Sequence, residues 1–246
     1  MQETLHGVLL GTLKYTEDTL IAHLYTLEKG WMSLTARVGG SRTRSQLRRL
    51  LAQAPARLEV EADIKPRGYA SLRQARQTWL YQSLPYDPCK RAVAVCVAEF
   101  AGSLLRTEGQ NPPLYHYLCE AFQWLDTLSR PQAVANFHIM VLLGLTARLG
   151  IAPSMEGYRP GMAFDLQEAR FIEPSLQPSP TRLDPPQAAV LYLMCTRMGP
   201  RTLHLFAMNR EQRAACMRLL SRYYAIHIPG FQPDRLKAQA VLKELF

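Results

Sequence analysis

The 246-residue sequence predicts an α+β protein, with a five-stranded Greek-key β-barrel over residues 1–80 and an all-helical domain over residues 81–246. Three observations predict it. The first 80 residues hold short β-type runs divided by turn signals. The hydrophobic period lengthens to that of a helix after Pro85 and Pro88. Seven of the 17 prolines crowd into residues 153–186, where little periodicity is left.

The β-type runs are Gly7-Val8-Leu9-Leu10 and residues 19–25, 32–38 and 56–64. Gly30, Gly39-Gly40 and Pro66-Arg67-Gly68 separate them. The runs are too short for helices and are spaced as in a small barrel. Leu58-Glu59-Val60-Glu61-Ala62-Asp63-Ile64 alternates strictly, with apolar residues on one face and three acids on the other, so a half-exposed strand is expected there. Beyond Pro88, Val93, Val97, Phe100 and Leu104 share one face of a helix that stops near Gly109. Leu114, Leu118, Phe122 and Leu125 mark a second helix, opened by Pro112-Pro113; Pro131 opens a third, which Gly150 closes. The third is apolar nearly all round and belongs in the middle of a bundle. Residues 153–186 are expected to form a long loop or a small irregular insertion. Helical patterns resume at residues 186–198, 209–224 and 233–245.

A hydrophobic content of 48% with 20% charged residues excludes a largely disordered chain. The longest apolar runs fall far short of the roughly 18 residues that a spanning helix needs. The first residues carry no basic flank followed by an apolar stretch, so a cytoplasmic protein is expected, without membrane attachment. Cys89, Cys96, Cys119, Cys195 and Cys216 are odd in number and widely spaced, as buried thiols are, and form no zinc or disulfide framework.

The formal net charge is +9, and it is polarised. Residues 1–80 carry twelve Lys and Arg against seven acids, residues 81–196 eight against ten, and residues 197–246 nine against three. Such a balance points to a polyanionic partner, nucleic acid first. The sharpest cluster runs from residue 37 to 49 and holds Arg37, Arg42, Arg44, Arg48 and Arg49 with no acid. Guanidinium forks match phosphate oxygens, and Gly39-Gly40 let backbone amides approach the same oxygens, so the segment reads as a loop that tracks a nucleic-acid backbone. Its competing reading is a solvated loop and polar helix face. A second group, Lys65, Arg67, Tyr69, Arg73 and Arg76, interleaves an aromatic with cations, the composition of a single-strand groove. Tyr15, Tyr25 and Trp31 are further stacking candidates, each also able to serve as core. The C-terminal arginines, Arg197 to Arg235, read as a solvated face or an extension of the binding path.

Catalytic signatures are missing from the sequence. It has no Gly-x-x-x-x-Gly-Lys-Ser/Thr loop, no Gly-x-Ser-x-Gly elbow and no His-Glu-x-x-His. Glu59, Glu61 and Asp63 splay along one strand, whereas two-metal chemistry gathers carboxylates from several elements around one point. No enzyme, metal or cofactor is therefore expected, and a metal-dependent nuclease built on those acids ranks last.

Several stretches resemble one family. They are Gly7-Val8-Leu9-Leu10, Tyr15-Thr16-Glu17, Leu24-Tyr25-Thr26-Leu27-Glu28-Lys29-Gly30 and the Gly-Gly-Ser-Arg loop with Ser45 and Arg48 behind it. Further on come Leu114-Tyr115-His116-Tyr117-Leu118, Asn136-Phe137-His138, Phe164-Asp165-Leu166-Gln167-Glu168 and Tyr223-Tyr224-Ala225-Ile226-His227-Ile228-Pro229-Gly230-Phe231. In order and spacing they are similar to the RecO recombination mediators over nearly the whole chain.

The resemblance implies an oligonucleotide-binding (OB) barrel and a helical domain working in bacterial DNA repair and recombination through the RecF pathway, at the nucleoid. It implies binding of single- and double-stranded DNA, annealing of complementary strands, contact with RecR and with the C-terminal tail of single-strand-binding protein, and help in loading RecA. The barrel arginines would neutralise phosphates while leaving base edges free to pair. For the tail it implies a pocket in the helical domain, carried over here onto Leu125, Arg130, Phe137 and Val141. Many relatives carry a four-cysteine zinc module after the position of Pro153. This chain has no cysteine between Cys119 and Cys195, so zinc is not expected and Phe164, Leu166 and Phe171 are left to hold the insertion. The alternative of another class is a non-enzymatic scaffold that docks acidic tails through the helical domain.

Overall fold

A computed structural model describes residues 1–40, 42–65, 70–177 and 179–245. The chain divides into two compact units, residues 1–127 and 128–246.

In the first unit, β1 (Gln2–Lys14), β2 (Thr19–Thr26), β3 (Gly30–Arg37), β4 (Ala56–Asp63) and β5 (Ala70–Gln77) form a closed barrel in the order β1-β2-β3-β5-β4. β1 reaches both neighbours because it is long, pairing β4 through residues 2–9 and β2 through residues 7–14, with a register shift between Leu9 and Gly11. The alternation read from the sequence is present in β4, where Ala56, Leu58, Val60 and Ala62 are buried while the residues between them are half-exposed. They join Leu5, Leu9, Leu24 and Leu34 in the barrel core.

The arginine-rich stretch, read as a loop, is largely a helix: α1 (Arg42–Leu51) follows β3. Leu47 and Leu51, four residues apart, enter the barrel core with Leu50 packed beside them, and this apolar stripe is what makes so basic a segment helical. The fifth strand is β5, which the sequence runs did not mark. Two inward residues, Ala70 and Leu72, are buried in it before it turns polar.

α2 (Pro88–Leu104) and α3 (Pro112–Thr127) pack on β1 and complete the first unit. Asp87 caps α2 by accepting from the amides of Cys89 and Lys90. The Tyr25 hydroxyl donates to the Gly109 carbonyl at 2.8 Å, and the Trp31 amide to that of Glu108 at 3.0 Å. Gly30, at φ +71°, lies so close to Gly109 that a Cβ would meet its carbonyl oxygen. The Asp126 carboxylate accepts from the amides of Gln82, Ser83 and Leu84, fastening the segment between β5 and α2 to the end of α3. Lys90, almost fully buried, donates to the Ser83 hydroxyl and the Asp126 carbonyl.

In the second unit α4 (Pro131–Arg148) is the central helix, with residues 133–142 all buried. α5 (Pro185–Arg197) and α6 (Arg210–His227) both pack against it, and α7 (Ala238–Leu245) ends the described chain. The proline-rich stretch is more ordered than expected. It carries a three-stranded antiparallel sheet of β6 (Ala163–Asp165), β7 (Arg170–Ile172) and β8 (Arg182–Leu183), in the order β7-β6-β8. Phe164, Leu166 and Phe171 are buried in it, and Phe171 and Tyr192 gather with Tyr158 in one aromatic cluster. Strands of two or three residues are too short to leave a period in the sequence.

Among the described residues no helix is long and apolar enough to cross a membrane.

Candidate nucleic-acid interface

The barrel closes last between β3 and β5. Their pairing is parallel and, among the described residues, joins 34–36 with 70–72. An open groove of about 890 Å³ straddles this seam. Four cations line it: Arg37 from the end of β3, Arg44 from α1, Lys65 before β5 and Arg73 within β5. Tyr15, 69% exposed at the turn between β1 and β2, stands at its edge. Thr35, Thr43, Gln46, Ser71 and Gln74 add neutral polar groups, and none of the groove's described lining residues is acidic. A concave cationic surface with an exposed ring and many hydroxyl and amide donors suits a phosphodiester backbone and a stacked base.

The expected DNA-binding residues are only partly gathered there. Of the five arginines in residues 37–49, Arg37 and Arg44 line the groove. Arg42 and Arg49 lie exposed on α1, seven residues apart and so on one side of it. Arg48 donates to the Glu17 carbonyl at 3.0 Å, and Arg44 to that of Gly39 at 3.2 Å. The stretch contains no acid, yet folding brings two beside it. Asp18 packs so close that a Cβ at Gly39 would strike its carboxylate, and its carbonyl accepts from the Val38 amide. The absence of nearby acids, read from the sequence alone, is corrected by that β1–β2 turn.

The second group fares unevenly. Lys65 is exposed on the groove. Arg67 and Tyr69 lie outside the described residues. Arg73 lies 2.5 Å from Asp63, and Arg76 bonds Glu59 through two nitrogens at 2.6 and 2.8 Å. That bidentate bond holds the Glu59 carboxyl below its usual range, with the neighbouring charges of Arg76 and His6 adding to it. The acidic face of β4 is thus matched by the basic outer face of β5, so these carboxylates are bound to arginines as well as to solvent. Among the described residues no three His, Cys, Asp or Glu side chains gather as metal ligands.

The stacking candidates separate in the same way. Tyr25 is core, with its phenol pushed up to about 12 by burial, then by Glu108. Trp31 is half-buried and stacks on His23 with centroids 5.4 Å apart. Tyr15 alone of the three reaches the groove.

Of the residues expected to meet the partner tail, three are buried and one is exposed. Leu125 in α3 and Phe137 and Val141 in α4 are fully buried. Arg130, exposed at the start of α4, is the accessible member of the set. Sequence reasoning passed over Thr35, Thr43, Gln46, Ser71 and Gln74, because nothing local announces a parallel pairing between segments 36 residues apart.

Five strands closed in this order, with a helix between β3 and β4, define the class: a barrel of the oligonucleotide-binding type, here followed by helices. Comparison with known proteins narrows it. The model described as Recombination protein O N terminal matches residues 1–81, and that described as Recombination protein O C terminal matches residues 85–236. DNA repair protein RecO of Phocaeicola vulgatus is 36% identical over 247 residues, covering 100% of this chain and 99% of the relative. The Bacteroides fragilis protein of that name gives the same figures, and that of Christiangramia forsetii is 31% identical, covering 98% and 97%. The chain belongs to the RecO family of DNA repair and recombination proteins.

Proposed function

We propose that this chain is a non-catalytic mediator of the RecF pathway, acting in the cytoplasm at the nucleoid. It binds single- and double-stranded DNA by the backbone, anneals complementary strands and assists RecA loading together with RecR. The observation that carries the reading is the groove at the β3–β5 seam, with four cations and no acid among its described lining residues. Annealing requires two polyanions to approach each other while their base edges stay free. Cations on the phosphates supply the first condition, and a site that donates to backbone oxygens supplies the second. Arg37, Arg44 and Lys65 are the primary phosphate contacts. Arg42, Arg48 and Arg49 extend the path along α1 and Arg73 along β5, and Arg67 and Tyr69 are further DNA contacts expected from the sequence. The C-terminal tail of single-strand-binding protein would meet Arg130 through its terminal carboxylate.

The test is annealing of complementary oligonucleotides, bare and coated with single-strand-binding protein, by the wild-type chain and an Arg37→Ala/Arg44→Ala/Lys65→Ala variant. Acceleration by the wild type that the variant loses supports the reading. No acceleration of bare or coated strands refutes it.

A further inference from the structure

We infer that the helical unit carries a docking groove for an acidic amphipathic helix of a partner protein, between α5 and α6. Both helices pack on α4, and between them lies an apolar groove of about 690 Å³. Each helix turns one stripe toward it at helical spacing: Val190, Leu193 and Met194 from α5, and Ala215, Cys216 and Leu219 from α6. Val190, Leu193 and Leu205 are 45%, 50% and 68% exposed, which puts three aliphatic side chains in water around one concave surface. Two helices lying on a third with apolar stripes facing an open channel form the seat that a further helix fills, with its own residues at i, i+3, i+4 and i+7 as anchors.

The wall that carries Leu205 is held in place. Gln132 and Asn136 of α4 each donate to the Phe206 carbonyl at 2.8 Å, Asn136 also donates to that of Leu203, and Arg213 of α6 donates to that of Met208. The groove is therefore built before anything binds, so little ordering opposes binding. Charge chooses the occupant. The described lining contains Arg218 and Arg222 and no acid. Arg218 is held by an exposed ion pair to Glu211 at 2.7 Å, of the kind that contributes little, so a partner carboxylate can compete for it. Arg222 donates to the Arg182 carbonyl, while its Nε is buried with no acceptor. A helix with leucines on one face and carboxylates along its flanks satisfies both the stripes and the cations.

The test is fluorescence anisotropy with the full chain and a labelled peptide of about 16 residues, or four helical turns, with Leu at i, i+3, i+4 and i+7 positions and Glu on the flanks. Controls are a scrambled peptide of the same composition and one with Lys in place of Glu. Binding in the micromolar range is expected, weakened about tenfold or more by scrambling, by the Lys exchange, and by Leu193→Asp, Leu205→Asp or Arg222→Glu in the protein. Leu193 and Leu205 are exposed, so their variants should melt with the wild type and keep its DNA affinity. Three outcomes overturn the inference. The scrambled peptide binds equally well, the leucine variants bind as the wild type does, or sedimentation shows the chain dimerising through this groove and Leu193→Asp dissolving the dimer. The first would mean charge alone, the second another surface, and the third a second copy as the occupant.

Discussion

Removing Arg37 and Arg44 together should change how DNA binding responds to salt more than it changes the fold. Of the four groove cations, Arg73 is already held by Asp63, which leaves Arg37, Arg44 and Lys65 to neutralise phosphates. Three phosphate contacts on a single strand give a log–log salt slope of about −2, so affinity should fall roughly twentyfold between 50 and 200 mM salt. With Lys65 alone the slope flattens to about −0.7 and the same fourfold change in salt costs about threefold in affinity. Both arginines are exposed, and so is the bond from Arg44 to the Gly39 carbonyl, so thermal melting should move little. Titrating a labelled oligonucleotide at five salt concentrations by anisotropy reads the slope directly. Arg76→Ala is the matched control, because Arg76 carries the same charge but is bound bidentately by Glu59. Equal slopes for wild type and double variant, or the larger flattening in Arg76→Ala, would refute the assignment of the groove.

Asp126→Asn should weaken the junction between β5, α2 and α3 by about 2 kcal/mol, the scale of charged hydrogen bonds to backbone amides, as read from urea unfolding. Burial raises the Asp126 pKa, but three backbone amides and the Ser83 hydroxyl outweigh it and leave the carboxyl below its ordinary 3.8. Its contribution is complete above that value and lost as pH falls through the lower folded one. His138 acts higher on the pH scale. Burial, then the charge of Arg213, lowers its pKa from 6.5 to about 3. The unfolded chain therefore takes a proton between those values that the folded chain refuses, and stability should fall with pH across that window by up to about 1.4 kcal/mol per pH unit. A His138→Phe variant whose unfolding free energy has the same pH slope as the wild type would show that His138 is not the cause. Gly30→Ala should cost at least about 2 kcal/mol, since it combines a positive φ with a clash against the Gly109 backbone, measurable as a lowered urea midpoint. Cys96 and Cys195, whose thiols burial pushes up to about 12, should react with a thiol reagent far more slowly in the native chain than in urea. Equal rates would mean that they are open to solvent.

What could be read from the sequence was what repeats locally. The strict alternation at Leu58 to Asp63 and the apolar surface of residues 133–142 each recur within a few residues, and both became the elements expected of them. β5 escaped because two buried positions, Ala70 and Leu72, are followed by Arg73, Gln74 and Arg76, which read as a charged loop. α1 was read for its arginines, although Leu47 and Leu51 give it a helical face. The candidate site was legible as charge and illegible as geometry. Nothing in the cluster at residues 37–49 says that Arg37 and Arg44 face a groove while Arg48 bonds the Glu17 carbonyl, because that depends on a turn some 30 residues earlier. Leu125, Phe137 and Val141 show the same limit from the other side: apolar residues at helical spacing line a pocket or fill a core, and only tertiary packing decides between them.

The place of the groove follows from how a five-stranded barrel closes. Antiparallel neighbours in this chain pair over most of their length, but among the described residues the closing seam between β3 and β5 holds for three, beyond which β3 runs on to Arg37 and β5 to Gln77. The end of the core beside the seam needs a lid, and α1 supplies Leu47 and Leu51 to it. A helix only ten residues long has little stability of its own and is held by that apolar stripe. Its remaining faces are free to carry charge, and the charge they carry meets Arg37, Lys65 and Arg73 across the seam. Leu47→Ala therefore probes fold and site together. Loss of its burial should cost about 2–3 kcal/mol, and if α1 loosens as a result, the salt slope should flatten although no cation has been removed. A destabilised variant that kept the full slope would show that DNA binding does not depend on how α1 sits over the core.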